Sequence, residues 1–487
     1  MTLPEGWEFS NPPSIIILSK GKVPNPLRDT LGEGYLPYID IRCFETGEIR
    51  RYGKIGSGTL VRTGDLVLVW DGARSGLVGK IPVDGLLGST LVRIWAPEID
   101  KMFLFYVFQS YFDQINSNPR GTGIPHVDPK VFNNIDIPLP PLAEQKRIVA
   151  KVEALLAQVK AAKERLDKVP RILKRFRQSV LAAACSGRLT EDWRAGRDVA
   201  RAGKDLLEDI LHTRKKNFAQ LGAGKYKEPI PPDESQIDSY PEEWALTRLD
   251  SLIYSVTSGS RGWAKYYSES GPLFVRAQNI NTDRLELEDI AFVQPPKGAE
   301  GVRTRIAQKD LLITITGANV TKAALVKEDI GEAYVSQHVA LARPVSPKTS
   351  EYLFLWIISP QHGRRKLLED AYGAGKPGLN LDNIKEIAVA LPSIEEQHEI
   401  VRRVEGLFKL ADAIEQRVEK ARARVDKTTQ SILAKAFRGE LVPTEAELAR
   451  QEGRDYEPAS VLLERIKAER AQAGNGKPKK RGRVRDG

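Results

Sequence analysis

The segment Leu139-Pro140-Pro141-Leu142-Ala143-Glu144-Gln145 returns, 252 residues later, as Leu391-Pro392-Ser393-Ile394-Glu395-Glu396-Gln397. At that single offset, without a gap, residues 139–189 match 391–441 at 19 of 51 positions, where chance pairing gives roughly three. The far ends agree too: Gln178-Ser179-Val180-Leu181-Ala182 pairs with Gln430-Ser431-Ile432-Leu433-Ala434, and Gly187 with Gly439. A duplication of this kind constrains the fold more than any composition figure, because both copies must find equivalent environments. Upstream the repeat is looser. Pro4-Glu5-Gly6-Trp7 corresponds to Pro241-Glu242-Glu243-Trp244, and Gly64-Asp65-Leu66 to Lys309-Asp310-Leu311, each run then reaching Gly-Ala (Gly72-Ala73, Gly317-Ala318). Gly121-Thr122-Gly123-Ile124-Pro125 corresponds to Gly373-Ala374-Gly375-Lys376-Pro377, at offsets that are not constant. Two diverged units, each followed by one better-preserved segment, is the plan this implies.

The preserved segment reads as a long helix. In the first copy apolar residues fall at Ile148, Val152, Leu155, Val159, Ala162, Leu166, Val169, Leu173, Phe176 and Val180. That alternating four-three spacing is a coiled-coil seam. The second copy keeps the phase with Ile400, Val404, Leu407, Ala411, Ile414, Val418, Ala421 and Val425, then Thr428 and Ile432. A lone helix of this length and polarity is marginal in water, so the seam needs a partner. The other copy in the same chain is the obvious one; pairing between chains is the alternative. Pro170 sits inside the first helix, where it removes a hydrogen bond and should kink it; the second copy has Arg422 there. Gly187 and Gly439 suit the positions just past the helix ends.

The sequence divides into a globular domain over 1–138, the first helix over 139–189, and a helical linker over 190–234. A second globular domain over 235–390, the second helix over 391–441, a helical segment over 442–473 and a basic tail over 474–487 follow. The globular domains alternate short β-rich runs with turns (Asp65–Trp70, Leu91–Trp95, Asp310–Thr316, Tyr334–Arg343). Each carries one short helix, near Lys101–Ile115 and Ser350–Ala371, so both read as α+β. Helices are expected over Asp205–Phe218 and Ser460–Arg470, where Leu206-Leu207-Glu208 resembles Leu462-Leu463-Glu464.

Only two cysteines occur, Cys43 and Cys185, which excludes a disulfide scaffold and a thiolate zinc cluster. The five histidines show no metal-ligand spacing. The apolar runs Met102–Phe108 and Tyr352–Ile358 are too short to cross a bilayer, and no leader pattern opens the chain, so a cytoplasmic protein is expected. A net charge of +10 favours a polyanionic partner, though weakly. Catalytic fragments fail on inspection. Asn11-Pro12-Pro13-Ser14 lacks the aromatic residue and the preceding glycine-rich strand of an adenine methyltransferase loop. Gly373-Ala374-Gly375-Lys376 and Gly76-Leu77-Val78-Gly79-Lys80 lack phosphate-loop spacing. No catalytic constellation is expected and no metal site.

At the Leu139–Gln145 and Leu391–Gln397 motifs, the heptad helices behind them and their Gln178–Leu189 and Gln430–Leu441 endings, the chain resembles a type I restriction–modification specificity subunit. Ile172-Leu173-Lys174-Arg175-Phe176-Arg177-Gln178-Ser179-Val180-Leu181 looks closest to the type IA branch. The resemblance covers nearly the whole chain. It implies two target-recognition domains, each followed by a long helix, the two helices pairing as an antiparallel coiled coil. It further implies double-stranded DNA as ligand, each domain reading half of a bipartite site, with the coil as a ruler. Partners would be two modification subunits, methylating adenine N6 with S-adenosylmethionine, and restriction subunits using ATP and Mg. No cofactor is expected in this chain itself.

Arg, Lys, Asn and Gln near strand ends can contact guanine or adenine edges. On that ground Arg42, Arg74, Arg120 and His126 are DNA-contact candidates in the first domain, with Arg276, Asn279, Asn319, Lys322, Gln337 and Lys376 in the second. For each, a solvated charge or a phosphate contact is the plainer alternative. His338 is read into an alternating strand, where packing explains it equally well. Two rival functions stay open: a specificity subunit of another methyltransferase or nuclease system, and a coiled-coil adaptor that binds no DNA.

Overall fold

A computed structural model of the chain describes residues 3–121, 124–197, 202–218, 226–232, 239–259, 261–294, 299–373 and 377–475. Both preserved segments are helices of 44 residues, Leu142–Cys185 and Ile394–Phe437. The motif at their starts works as a brace. Gln145 turns its amide back to donate to the Pro140 carbonyl, and Gln397 does the same to Pro392, each at 2.9 Å. Glu144 and Glu396, in the first helical turns, accept the indole N–H of Trp7 and Trp244 at 3.0 and 2.9 Å. All four motif side chains are buried. A carboxylate in a first turn also opposes the positive end of the helix dipole. The identity of the motif thus follows from a structural duty repeated in both copies.

The chain forms two compact units, and neither is continuous in sequence. One contains the described residues up to Asp167 together with those from Glu419 onward; the other is Lys168–Val418. Each long helix therefore gives one half to each unit. In the first unit Ile148, Val149 and Val152 share a core with Ile432, Leu433, Ala436 and Phe437. Lys163 meets Asp426 at 2.9 Å and Asp167 meets Arg422 at 2.8 Å, so a step of four up one helix matches four down the other. In the second unit Arg177 reaches Asp412 at 2.7 Å and Glu415 at 2.9 Å, while Val180, Leu181 and Ala184 pack with Ile400, Val401 and Val404. The helices are antiparallel in both.

Along the seam Ile148, Val152, Leu173, Ile400 and Val404 are buried, and Leu155, Val159, Leu166, Leu407, Ile414, Val418 and Val425 are half-buried. Thr428 departs from the pattern: it is exposed, and its hydroxyl donates to the Arg424 carbonyl at 2.8 Å. The first helix runs unbroken through Pro170, whose ring is exposed. Proline has no N–H for the Leu166 carbonyl four residues back. Arg422 of the second helix, the repeat equivalent of Pro170, donates to that oxygen at 3.4 Å.

Each domain closes its own ends. Glu8–Ser10 pairs antiparallel with Ile137–Leu139, and Ala245–Arg248 with Ala388–Leu391, which sets Trp7 and Trp244 beside the helix starts. The first domain has a four-stranded antiparallel sheet in the order Ile17–Lys20, Leu91–Trp95, Leu66–Val69, Val78–Lys80. The second repeats it with Ile253–Ser258, Val339–Pro344, Leu311–Thr314 and Ala323–Leu325. Both central strands are buried on both faces, as their unbroken apolar runs require. A second sheet in each domain contains one parallel pair, Tyr35–Ile39 with Gly85–Leu87 and Tyr267–Val275 with Ala333–Val335.

A helix downstream of each long helix packs on the other repeat's domain. Ala202–Phe218 buries Ile210 in the second unit's core, and its Arg214 Nε donates to the Ile253 carbonyl at 3.0 Å. Ala459–Asn475 buries Leu462, Leu463 and Ile466 in the first unit, and the Ala459 amide donates to Gly6 at 2.9 Å.

Three local expectations change. Tyr334–Arg343 is two strands, Ala333–Val335 and Val339–Pro344, so His338 lies in the turn between them, not in a strand. Ser350–Ala371 splits into Ser350–Ile358 and Gly363–Asp370, because Pro360 cannot continue a helix. Lys101–Ile115 splits into Lys101–Ser110 and Phe112–Asn116. Within the expected helical segment 442–473, the helix Glu445–Glu452 is started by Thr444 and Glu447 in a capping box. Most of the basic tail lies outside the described residues.

Candidate nucleic-acid interface

The Gly-Ala loops and the Gly-x-Gly-x-Pro loops, loosely matched in sequence, meet in both domains. In the first, the Gly72 amide donates to the Pro125 carbonyl at 2.7 Å; in the second, Gly317 donates to Pro377 at 3.1 Å. The surrounding backbone bonds also correspond. Val127 donates to Trp70, and Leu379 to Ile315, each at 2.8 Å. Gly76 donates to Val69 at 2.8 Å and Thr321 to Thr314 at 2.9 Å; Leu77 donates to Arg74, and Lys322 to Asn319, each at 3.0 Å. Trp70 and Ile315 donate to Thr90 and His338 at 2.8 and 2.9 Å. Gly72 and Gly317 sit at φ +117° and +97°, a region that side chains resist, which is why glycine holds both places. The result is one interlocked pair of loops at a strand-end edge of each four-stranded sheet.

In the first domain this edge gathers every sequence candidate. Arg42 lies on the helix Ile41–Thr46 and pairs with Glu48 at 2.7 Å. Arg74, in the Gly-Ala loop, pairs with Glu45 of that same helix and stays 62% exposed. Arg120 and His126 face each other across the short hairpin Pro119–Arg120 with His126–Val127. His126 Nδ1 lies 2.7 Å from Asp71, which also meets Lys20 at 3.1 Å. Arg120 is exposed and has no acidic partner among the described residues. Acidic partners of this kind hold flexible cations in place before a ligand arrives, at little cost in a solvated setting.

The second domain divides its candidates. Asn319 donates to the Ala277 carbonyl at 3.2 Å, tying the Gly-Ala loop to the loop behind Arg276. Lys322 lies 3.9 Å from Asp283, which Arg364 also meets at 2.5 Å. Gln337 is exposed in the turn after Ala333–Val335, its amide nitrogen 3.1 Å from His338 Nε2. Arg276 is half-buried and donates to the Asp289 carbonyl at 2.9 Å. Asn279 is corrected outright. It is 2% exposed, accepts the Arg276 amide at 3.0 Å and donates to the carbonyls of Glu286 and Asp289 at 3.1 and 2.9 Å. It braces its own loop and has nothing left for a base. Lys376 lies outside the described residues.

Sequence reasoning missed Lys20 and Tyr372. Tyr372 is 63% exposed and exchanges backbone bonds with Gly378, as the repeat equivalent of Arg120. The aligned loops carried that signal, one residue before each Gly-x-Gly. The decoys also resolve. Asn11 caps the short helix Pro12–Ile15, and Gly79 lies within the strand Val78–Lys80. Both cysteines are buried, and among the described residues no group of His, Cys, Asp and Glu could hold a metal ion. No described helix is long and apolar enough to cross a membrane.

Known proteins share this architecture. The model of the type I restriction modification DNA specificity domain matches residues 4–171 and 294–421. The EcoBI specificity subunit of Escherichia coli is 35% identical over 91% of this chain and 88% of its own length. The EcoKI specificity subunit, also from Escherichia coli, is 30% identical over 98% of both. Among solved structures, the HsdS subunit from Thermoanaerobacter tengcongensis matches with a TM-score of 0.55 at 21% identity, over 91% of this chain and 99% of that one. A chain solved in a study of type I R-M complex assembly gives 0.57 at 22% identity, over 91% and 100%; at such identity these two speak for the fold.

Proposed function

The chain belongs to the family of type I restriction–modification DNA specificity subunits, and from that premise we propose that its two interlocked loop edges each read one half of a bipartite, asymmetric DNA target. It is the non-catalytic, DNA-recognising component of a restriction–modification complex. The observation carrying the proposal is the interlock itself: one backbone frame built twice and furnished with different side chains. A sequence reader with two half-sites needs that, because phosphate contacts position a protein while base contacts specify it.

The long helices act in this reading as the ruler. At 44 residues each is about 66 Å long, enough to hold half-sites roughly one duplex turn apart, about 34–36 Å. Two modification subunits take the flanks and methylate adenine N6 with S-adenosylmethionine. Restriction subunits, using ATP and Mg, complete the complex. Base extrusion and methyl transfer belong to those partners, and in this reading the work is done in the cytoplasm. The test is N6-methyladenine mapping in cells expressing this chain with and without its modification subunit. A bipartite motif should appear only with both. An active, stably bound modification subunit that produces no new motif overturns the reading.

A further inference from the structure

Equivalent backbone positions in the two interlocks carry different side chains. Arg74 and Asn319 both accept, through their own carbonyls, the amide three residues on. Arg120 and Tyr372 both stand opposite the residue that follows the loop proline. A phosphate contact carries no sequence information, so one side chain could serve both edges; a base contact must change when the half-sites differ. We propose that residues 74 and 319 are the paired specificity-determining positions, Arg74 reading a guanine and Asn319 an adenine, with Arg120 and Tyr372 as the adjoining pair. This rests on the DNA-recognition reading above.

The side-chain chemistry fits. Glu45 holds Arg74 through Nη1, and a guanidinium has five N–H donors, so its remaining edge is free for guanine O6 and N7. Asn319 spends one amide hydrogen on the Ala277 carbonyl. Its second amide hydrogen and its Oδ1 match the N7 acceptor and N6 donor of adenine. Both residues sit on loops pinned at both ends by backbone bonds, so their side chains start from defined points. Among the other candidates, Asn279 is wholly consumed within its own loop.

The experiment uses the full chain in complex with its modification subunit, presented with a DNA library randomised across both half-sites. Arg74→Ala and Asn319→Ala should each relax one position of one half-site by roughly 5- to 100-fold, leaving the other half-site and the spacing intact. Asn319→Arg should move the preference at its position from adenine to guanine, a gain that misfolding cannot imitate. An unchanged motif in all three variants overturns the proposal. So does uniform weakening across all sequences with a shallower salt dependence, which marks a phosphate contact. A wild-type complex without bipartite preference would instead sink the recognition reading itself.

Discussion

The indole N–H of Trp7 donates to one oxygen of Glu144 at 3.0 Å, and the other oxygen accepts the Glu445 amide at 2.8 Å. The equivalent carboxylate, Glu396, accepts Trp244 at 2.9 Å, but its second oxygen meets the Thr190 hydroxyl at 2.7 Å and the Arg194 guanidinium at 2.5 Å. Among the described residues, one latch directly engages a cation and the other does not. In the first, burial pushes Glu144 up to about 7, outweighing the Glu445 amide, the Trp7 indole and the nearby Arg147, which favour the charged form.

That difference makes the first unit sensitive to pH. A carboxyl whose folded pKa is raised binds its proton more tightly when folded, so its contribution is full below the unfolded value of 4.5 and lost as pH rises through about 7. At most roughly 3 kcal/mol is involved. Glu144→Gln should remove this slope, although its amide must face one of the two N–H donors. The variant will therefore be least favourable relative to wild type at low pH. Hydrogen exchange at Trp7 between pH 5 and 8 reads the effect, and parallel wild-type and variant profiles would refute it.

Pro170→Ala restores a helical N–H for the Leu166 carbonyl, which Arg422 meets at 3.4 Å. The expected gain is about 1–3 kcal/mol, seen as a higher unfolding midpoint. Arg422→Ala should cost more in the wild-type background than beside Pro170→Ala, which a double-mutant cycle measures.

Leu433 is 4% exposed and Leu410 55% exposed on the same helix. Leu433→Ala should cost about 2–5 kcal/mol, whereas Leu410→Ala should stay within about 0.5 kcal/mol. Proteolytic susceptibility of the two variants provides the comparison.

Removing residues 159–165 together with 424–430, segments aligned by the Lys163–Asp426 pair, deletes one heptad from each helix without changing seam phase. Each helix shortens by about 10 Å, equivalent to about three base pairs. The methylated motif should keep both half-sites and lose spacer length. An altered half-site with an unchanged spacer would contradict the ruler.

Gly317→Val forces a β-branched residue to φ +97° and should cost about 1–2 kcal/mol. Because the strain falls in one interlock, recognition of one half-site should degrade while the other persists. Motif mapping distinguishes this from a general loss of binding.

Much of the fold was legible in sequence because it is written as period and repetition. The duplication located two equivalent helices, and the four-three spacing placed Ile148, Val152, Ile400 and Val404 on a buried seam, since side chains that recur in phase share a face. Loops have no period to read. That Gly72 meets Pro125 and Gly317 meets Pro377 depends on strands folding back over 53 and 60 residues. Asn279, polar and near a strand end, looked like a base reader until burial showed its amide consumed by its own loop.

The sequence by itself determined the two-domain, two-helix plan, because amphipathic repeats are local and an apolar stripe needs a partner; the antiparallel direction is fixed by pairs such as Lys163 with Asp426 and Asp167 with Arg422. Only the tertiary structure decided which segments complete each unit and what Glu144 and Glu396 do. Trp7 lies 137 residues from Glu144, and no local propensity encodes a hydrogen bond made across that distance. It exists because the domain's first and last strands pair, which places indole and carboxylate together in a buried site where each needs the other.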